Sequence, residues 1–366
     1  MRRPLPERAM VVVKVGSSSL TGGRPELDMV AVRRVSDIVA RFRERGHRVV
    51  LVTSGAVAAG LSALGRTARP TDLPGLQAAA AVGQGRLMHG YGDAFSRHGL
   101  VVGQVLLSKW VLADREQYLH AREALQRMLE LGIVPIVNEN DTVAVEELRF
   151  GDNDRLAAMV SHLVNASLLL LLTDTAGLLS GDPRSGDSVE LLSAVRHTDQ
   201  VLDGLAHGGA GPQGSGGVAS KIAAARMAAW SGIPTVIAPA EDDGTVDAVV
   251  RGLEIGTWVE PHSRRLPARK LWIAFGQPSE GTLTVDPGAA QALVNGGRSL
   301  LPVGVAAVDG SFAAGAAVEV LDPSGGLIAK GLTRLGSEEL RQRMGSRSGG
   351  DIVAIHRDDL VVLISG

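Results

Sequence analysis

The 366-residue sequence has no cysteine, 3% aromatic residues, a formal net charge of only −2 and no long hydrophobic run. Without cysteine there is no disulfide framework, no thiolate zinc site and no cysteine nucleophile. A near-zero net charge removes the simple electrostatic case for a dedicated nucleic-acid binder. Apolar runs such as Leu168–Leu172 fall far short of the ~20 residues that a membrane-spanning helix needs. Arg2 and Arg3 imitate a basic leader, but Lys14 at once interrupts the apolar stretch Met10–Val13. No targeting segment is therefore expected, and the cytoplasm is the default location. The nine histidines show no metal-ligand spacing, and neither HExxH nor the phosphate-loop string G-x-x-x-x-G-K-[ST] occurs.

What is present is a globular composition, 45% hydrophobic and 21% charged, long enough for two or three domains. Short apolar runs alternate with helical patterns up to about residue 239: Met10–Val15, Arg48–Val52, Leu100–Leu107, Ile133–Val137, Leu168–Leu172 and Pro234–Ala238. Between the first two, Val35, Ile38, Val39 and Phe42 fall on one face of a helix that Gly46 ends. Further helices are expected after Ser54-Gly55, over Glu116–Leu131 and over Ser220–Trp230. This alternation implies an α/β fold, an open and mostly parallel sheet sandwiched by helices.

Near residue 260 the texture changes. Residues 261–270 hold two prolines and several basic residues and read as a linker between a domain over 1–260 and another over 271–366. The second part has β-like runs at Leu271–Phe275, Thr282–Val285, Leu300–Val305, Ala316–Leu321 and Leu327–Leu332, with short helices capped by Asp286 and Ser337. A small, mainly β barrel is expected there.

Chemistry-bearing residues gather where strands end. Lys14 closes the first strand ahead of Gly16-Ser17-Ser18-Ser19, placing an ammonium and free backbone amides at a sheet rim. Ser54-Gly55 follows the second strand and opens a helix, a setting for a bound anion or simply a serine cap. Asn138-Glu139-Asn140-Asp141 follows the fourth strand, and Gly151-Asp152-Asn153-Asp154 comes soon after. Such carboxylates and amides can hold an ammonium group, orient lysines or favour turns for local reasons. Thr173-Asp174 leaves the Leu168–Leu172 strand, and the glycine-dense stretch 208–217 leads into Lys221. Lys221 is expected in the first turn of a helix, where the macrodipole disfavours a cation unless an anion lies nearby. Gly209-x-Gly211-x-x-Gly214 matches the dinucleotide fingerprint by chance, since it follows no strand.

In order and wording, these motifs resemble the glutamate 5-kinase family of the amino acid kinase superfamily across essentially the whole chain. Pro135-Ile136-Val137-Asn138-Glu139-Asn140-Asp141-Thr142-Val143 and Phe150-Gly151-Asp152-Asn153-Asp154 are the most specific strings, and the C-terminal part resembles a PUA domain. The resemblance implies ATP-dependent phosphorylation of the side-chain carboxylate of L-glutamate, with Mg²⁺, as the first step of proline biosynthesis. It implies that Lys14 and Lys221 contact the phosphates and that Asp154 orients both lysines. Ser54, Asp141 and Asn153 would bind glutamate. Thr173, Asp174, Ser215, Gly216, Gly217, Val218, Ala219, Ser220 and Lys221 would hold the nucleotide, with Gly16, Thr53 and Gly55 supplying backbone donors or close approach. No direct side-chain ligation of a metal is implied. A homo-oligomer, feedback inhibition by proline and transfer of product to glutamate-5-semialdehyde dehydrogenase also follow from the resemblance.

The sequence departs from the family's pattern at Ser215–Lys221, where the usual Thr-Gly-Gly-Met-x-Thr-Lys is changed, at Leu179, where tyrosine is frequent, and at His120. Two other readings of the sequence compete with this one. A same-fold kinase of another carboxylate, such as N-acetylglutamate, fits less well, because Asp141 and Asn153 suit a free ammonium group. RNA binding through the PUA-like part is opposed by charge: from Arg269 onward there are nine Lys or Arg against ten Asp or Glu, despite the local cluster Arg341, Arg343 and Arg347.

Overall fold

The computed structural model describes residues 2–24, 26–66, 68–108, 114–143, 153–182, 188–199, 201–208, 217–242, 244–263, 265–346 and 352–363. The chain forms two compact units, Met1–Arg265 and Leu266–Gly366.

The first unit is built on eight strands: β1 (Met10–Val15), β2 (Arg48–Val52), β3 (Val102–Leu107), β4 (Val134–Glu139), β5 (Leu168–Thr173), β6 (Ala194–Arg196), β7 (Thr235–Pro239) and β8 (Thr257–Glu260). Their order is β3-β4-β2-β1-β5-β7-β8-β6, and only the β7–β8 pairing is antiparallel. β1, β4 and β5 are buried along their whole length, which is why each reads as an apolar run up to the polar residues near its C-terminal end rather than as an alternating pattern.

Helices cover both faces: α1 (Ser17–Thr21), α2 (Met29–Glu44), α3 (Ala56–Ala63), α4 (Leu73–Ser96), α5 (Arg115–Glu130), α6 (Asn153–Leu163), α7 (Val201–Gly208), α8 (Gly217–Trp230) and α9 (Thr245–Arg251). On one face Val11, Val13 and Val15 of β1 join Leu168, Leu170 and Leu172 of β5 in a core closed by α2, α4 and α9. Side chains alternate along a strand, so Val12 and Lys14 point to the opposite face. There α6 packs on β1, β2, β4 and β5 and against α8.

α2 starts where Asp28 accepts a hydrogen bond from the Val30 amide, and Gly46 turns the chain with φ +80° just past its end. α4, 24 residues long, carries no clear apolar stripe, so the sequence pattern does not announce it. Small residues explain why. A Cβ on Gly60 would lie 1.8 Å from the Ala79 carbonyl oxygen, and one on Gly83 1.7 Å from that of Ala56, so α3 and α4 cross with their backbones in contact.

The second unit holds a five-stranded sheet of order β10-β9-β11-β12-β13: β9 (Gly281–Val285), β10 (Val305–Gly310), β11 (Ala317–Leu321), β12 (Leu327–Thr333) and β13 (Ile355–Val362). It also contains α10 (Ala268–Leu271), α11 (Pro287–Gly296) and α12 (Ser337–Arg343). Asp286 caps α11 as expected, accepting from the Ala289 amide. Three expectations fail here. Leu271–Phe275 is not a strand: Pro267 opens a helical turn, which continues as a π-helical turn over Trp272–Gly276 and buries Ile273 and Ala274 against Val361. Leu300–Val305 is mostly a 3₁₀ turn over Pro302–Gly304, since Pro302 has no amide to give a ladder, and the strand begins only at Val305. Ser337 is the first helical residue rather than the cap, and its hydroxyl accepts from the Phe312 amide.

Candidate active site

β4, β2, β1 and β5 are parallel neighbours, so their C-terminal ends open on one rim. The chain leaves β1 toward β2, whereas β5 lies on the other side of β1. A crevice at such a switch point is where open α/β sheets bind ligands. Lys14, Thr53-Ser54, Asn138–Asp141 and Thr173-Asp174 all stand at this rim because each ends or follows one of these strands.

Asp154 lies at the centre. It sits in the first turn of α6, where the helix dipole favours an anion, and is 1% exposed. One carboxylate oxygen meets the Lys14 ammonium at 2.5 Å. The other takes the Lys221 ammonium at 3.4 Å and a hydrogen bond from the Ser220 hydroxyl at 2.7 Å. Burial works to raise this carboxyl, but the two lysines and the Ser220 hydroxyl outweigh it and hold it below the ordinary aspartate range. One anion thus fixes two cations drawn from β1 and α8.

α8 begins at Gly217, so Lys221 stands one residue beyond the first turn rather than within it. It donates to the Gly217 carbonyl at 3.2 Å, and the anion that offsets its charge is Asp154 of the protein itself. Gly217, Val218 and Ala219 are exposed at the helix start, while Ser220 turns inward. Thr173 is buried and donates to the Asp174 carboxylate at 3.2 Å, and Asp174 itself is exposed. Ser215 and Gly216 lie outside the described residues, as do Phe150, Gly151 and Asp152 and the glycines at 209, 211 and 214.

Beside the lysines lies an amide cluster. The Asn153 side-chain nitrogen donates to the Thr53 carbonyl at 2.5 Å and to Asn138 Oδ1 at 2.7 Å, with Ser54 Oγ at 3.2 Å. The sequence-based candidates Ser54 and Asn153 are therefore in contact. Asp141, half-buried, stands in the turn two residues beyond the end of β4. Gly55 has φ +100°, and a Cβ there would come within 3.1 Å of Leu27, so the turn that presents Ser54 requires glycine.

Three contributors escaped the sequence reading. Asn138 Nδ2 donates to Gln84 Oε1 at 2.8 Å, and Gln84 Nε2 donates to Gln104 Oε1 at 3.0 Å. Under the site, the fully buried Tyr91 hydroxyl lies 2.8 Å from Thr53 Oγ1, and burial raises its pKa. Gln84 and Tyr91 both come from α4, so the only signal that could have found them was that helix, which the apolar pattern did not reveal.

The chain matches the model of the amino acid kinase family over residues 9–239 and that of the PUA domain over residues 281–357. It is 46% identical over 371 residues to the glutamate 5-kinase of Moorella thermoacetica, an alignment spanning 99% of this chain and 98% of that protein. It is 46% identical over 377 residues to the glutamate 5-kinase of Frankia casuarinae, spanning 100% and 99% of the two chains. For that of Pelobacter propionicus the identity is 43% over 374 residues, spanning 99% and 100%.

The chain belongs to the glutamate 5-kinase family.

The departures from the glutamate 5-kinase pattern can now be located. Ser220 keeps the hydroxyl that reaches Asp154. Leu179 forms an isolated β-bridge with Leu191. His120 is exposed on α5, 3.6 Å from Glu116. In the PUA part, Arg341 donates to the Gly310 carbonyl at 2.6 Å and Arg343 pairs with Glu339 at 3.0 Å, while Arg347 lies outside the described residues. No helix among the described residues is long and apolar enough to cross a membrane.

Proposed function

We propose that the chain transfers the γ-phosphoryl group of ATP to the side-chain carboxylate of L-glutamate, giving L-glutamyl 5-phosphate and ADP, the first committed reaction toward proline. The observation that carries this reading is the buried Asp154 carboxylate holding Lys14 and Lys221 on its two oxygens, next to an amide cluster at the same sheet rim. A glutamate side chain, with an ordinary pKa of ~4.3, is already ionised at neutral pH, so its oxygen attacks the γ-phosphorus without a general base. The bond from that phosphorus to the β-phosphate oxygen breaks, and ADP leaves with the electron pair. Negative charge spreads over the transferring group, and two fixed ammonium groups offset it.

Roles follow from donor counts. Both hydrogens of the Asn153 amide face acceptors on Thr53 and Asn138, so Asn153 offers the substrate its carbonyl oxygen. With the Asp141 carboxylate, that oxygen suits the α-ammonium of free glutamate better than an acetylated nitrogen. Ser54 keeps a hydroxyl hydrogen for a substrate carboxylate. Thr173, Asp174 and residues 215–221 form the nucleotide side, with the exposed start of α8 toward the phosphates. Asp154 is committed to Lys14, Lys221 and Ser220, and no group of three or more His, Asp or Glu able to hold a metal occurs among the described residues. Mg²⁺ bound together with ATP would add positive charge beside the phosphates.

The reaction belongs to residues 1–260, with 261–270 as linker and 271–366 as an appended PUA module. Its dependence on ATP favours a cytoplasmic location. Proline competes at the glutamate pocket, and the labile acyl phosphate passes to glutamate-5-semialdehyde dehydrogenase from a homo-oligomer of this chain. The test of the central reaction is hydroxylamine trapping of acyl phosphate with Mg²⁺-ATP and L-glutamate, N-acetyl-L-glutamate or L-aspartate. Hydroxamate is expected with L-glutamate alone and is lost in Lys221→Ala. Turnover of N-acetyl-L-glutamate in preference to glutamate would overturn the substrate assignment.

A further inference from the structure

The amide cluster has a direction, and backbone groups set it. The Glu139 amide, which can only donate, gives its hydrogen to Asn138 Oδ1 at 2.9 Å, and the Thr53 carbonyl, which can only accept, takes one from Asn153 Nδ2. Neither side-chain amide can be turned over without setting donor against donor or acceptor against acceptor. Asn138 must therefore point its own NH₂ away from Asn153, toward Gln84. Asn138 is 2% exposed, so that NH₂ depends on a protein acceptor, and Gln84 Oε1 supplies it at 2.8 Å. Gln84 then passes a hydrogen to Gln104 on the edge strand β3. The order runs Asn153 to Asn138 to Gln84 to Gln104, each amide donating to the next.

We infer that Gln84 is a positioning residue for glutamate binding: it holds the Asn138 amide in the one orientation that turns the Asn153 carbonyl oxygen toward the substrate. This rests on the reading of Asn153 as a glutamate-binding residue. Removing the acceptor at position 84 leaves a buried NH₂ unsatisfied while the Glu139 amide still holds the Asn138 oxygen, so Asn138 is pulled out of line toward another acceptor and its oxygen no longer seats Asn153 firmly. The lysines and Asp154 take no part in this chain, so the effect falls on glutamate and not on ATP.

The test is steady-state kinetics on four full-length variants, Gln84→Glu, Gln84→Met, Gln84→Lys and Asn153→Ala, with thermal unfolding of each. Gln84→Glu keeps an acceptor for Asn138, Gln84→Met offers none, and Gln84→Lys presents a donor to a donor. The KM for glutamate is expected to rise about tenfold in Gln84→Met, further in Gln84→Lys, and less than about threefold in Gln84→Glu, with kcat and the KM for ATP within about threefold across these three Gln84 variants. A role confined to helix packing would shift the unfolding temperature without ordering Glu, Met and Lys in this way. If Gln84→Lys fails to fold, the contrast between Met and Glu decides. A glutamate KM unchanged in Gln84→Met while Asn153→Ala raises it tenfold would overturn the relay and leave the site reading intact. No change in Asn153→Ala would overturn the site reading itself.

Discussion

Asp154 is the residue on which the most depends. It lies almost wholly out of water, and each of its oxygens serves a cation. Removing one partner of a buried ion pair strands the other charge, at a cost of about 3–5 kcal/mol. Asp154→Asn is therefore expected to lower stability by a few kcal/mol, because Lys14 is buried as deeply, and to reduce kcat by at least about 100-fold as both ammonium groups lose their anchor. The double variant Lys14→Met/Asp154→Leu should regain stability and remain inactive. Denaturant melts and turnover on the same samples check both parts. The sign with pH follows from the lowered Asp154 carboxyl: its contribution is full above the unfolded pKa near 4 and is lost as pH falls through the lower folded value.

At the scale of elements, two features carry predictions. The first is the α3–α4 crossing. A methyl group on Gly60 or Gly83 would sit inside van der Waals contact with a backbone carbonyl that has no side-chain freedom to yield. Gly83→Ala should destabilise by about 1–3 kcal/mol or more, as overpacked cores do. It should also raise the glutamate KM, because α3 follows Ser54 and α4 carries Gln84 and Tyr91. An unchanged denaturation midpoint would show that the helices can part freely.

The second feature is a pair of buried histidines, His162 at the end of α6 and His197 just past β6. Burial pushes each down to about 4, with Arg265 adding to the effect at His162 and His262 and Arg226 adding at His197. Both are neutral in the folded protein at pH 7. Between pH 6.5 and 4 the unfolded chain binds more protons at these sites, so stability must fall as pH drops through that window. His162→Gln is expected to flatten the slope of unfolding temperature against pH between 6.5 and 4.5. An unaltered slope would place the titration elsewhere.

Across the whole molecule, what was legible in the sequence and what was not divide along a physical line. Strands buried on both faces announce themselves as apolar runs whose ends point to Lys14, Ser54 and Thr173, while the Asn/Asp-rich and glycine-rich stretches ahead of helices point to Asn153, Asp154 and Lys221. Contacts between distant segments left no local trace. Gln84 is 54 residues from the Asn138 it supports, and Tyr91 38 from Thr53. The helix that delivers both is built from alanine and glycine, whose value lies in how closely backbones approach rather than in any stripe of large side chains. In the second unit, Leu271–Phe275 misled because a short apolar run looks the same whether it is buried as strand or as helix.

The central claim is that an oxygen of the glutamate side chain attacks the γ-phosphorus in this site. L-Glutamate labelled with ¹⁸O in both side-chain carboxylate oxygens tests it most directly, with Mg²⁺-ATP and hydroxylamine present. Hydroxylamine attacks the acyl carbon and expels phosphate together with the bridging oxygen. One ¹⁸O is expected in each released phosphate, and none when only the α-carboxylate is labelled. Unlabelled phosphate from side-chain-labelled glutamate would mean that water, not the substrate carboxylate, takes the phosphoryl group, and would contradict it.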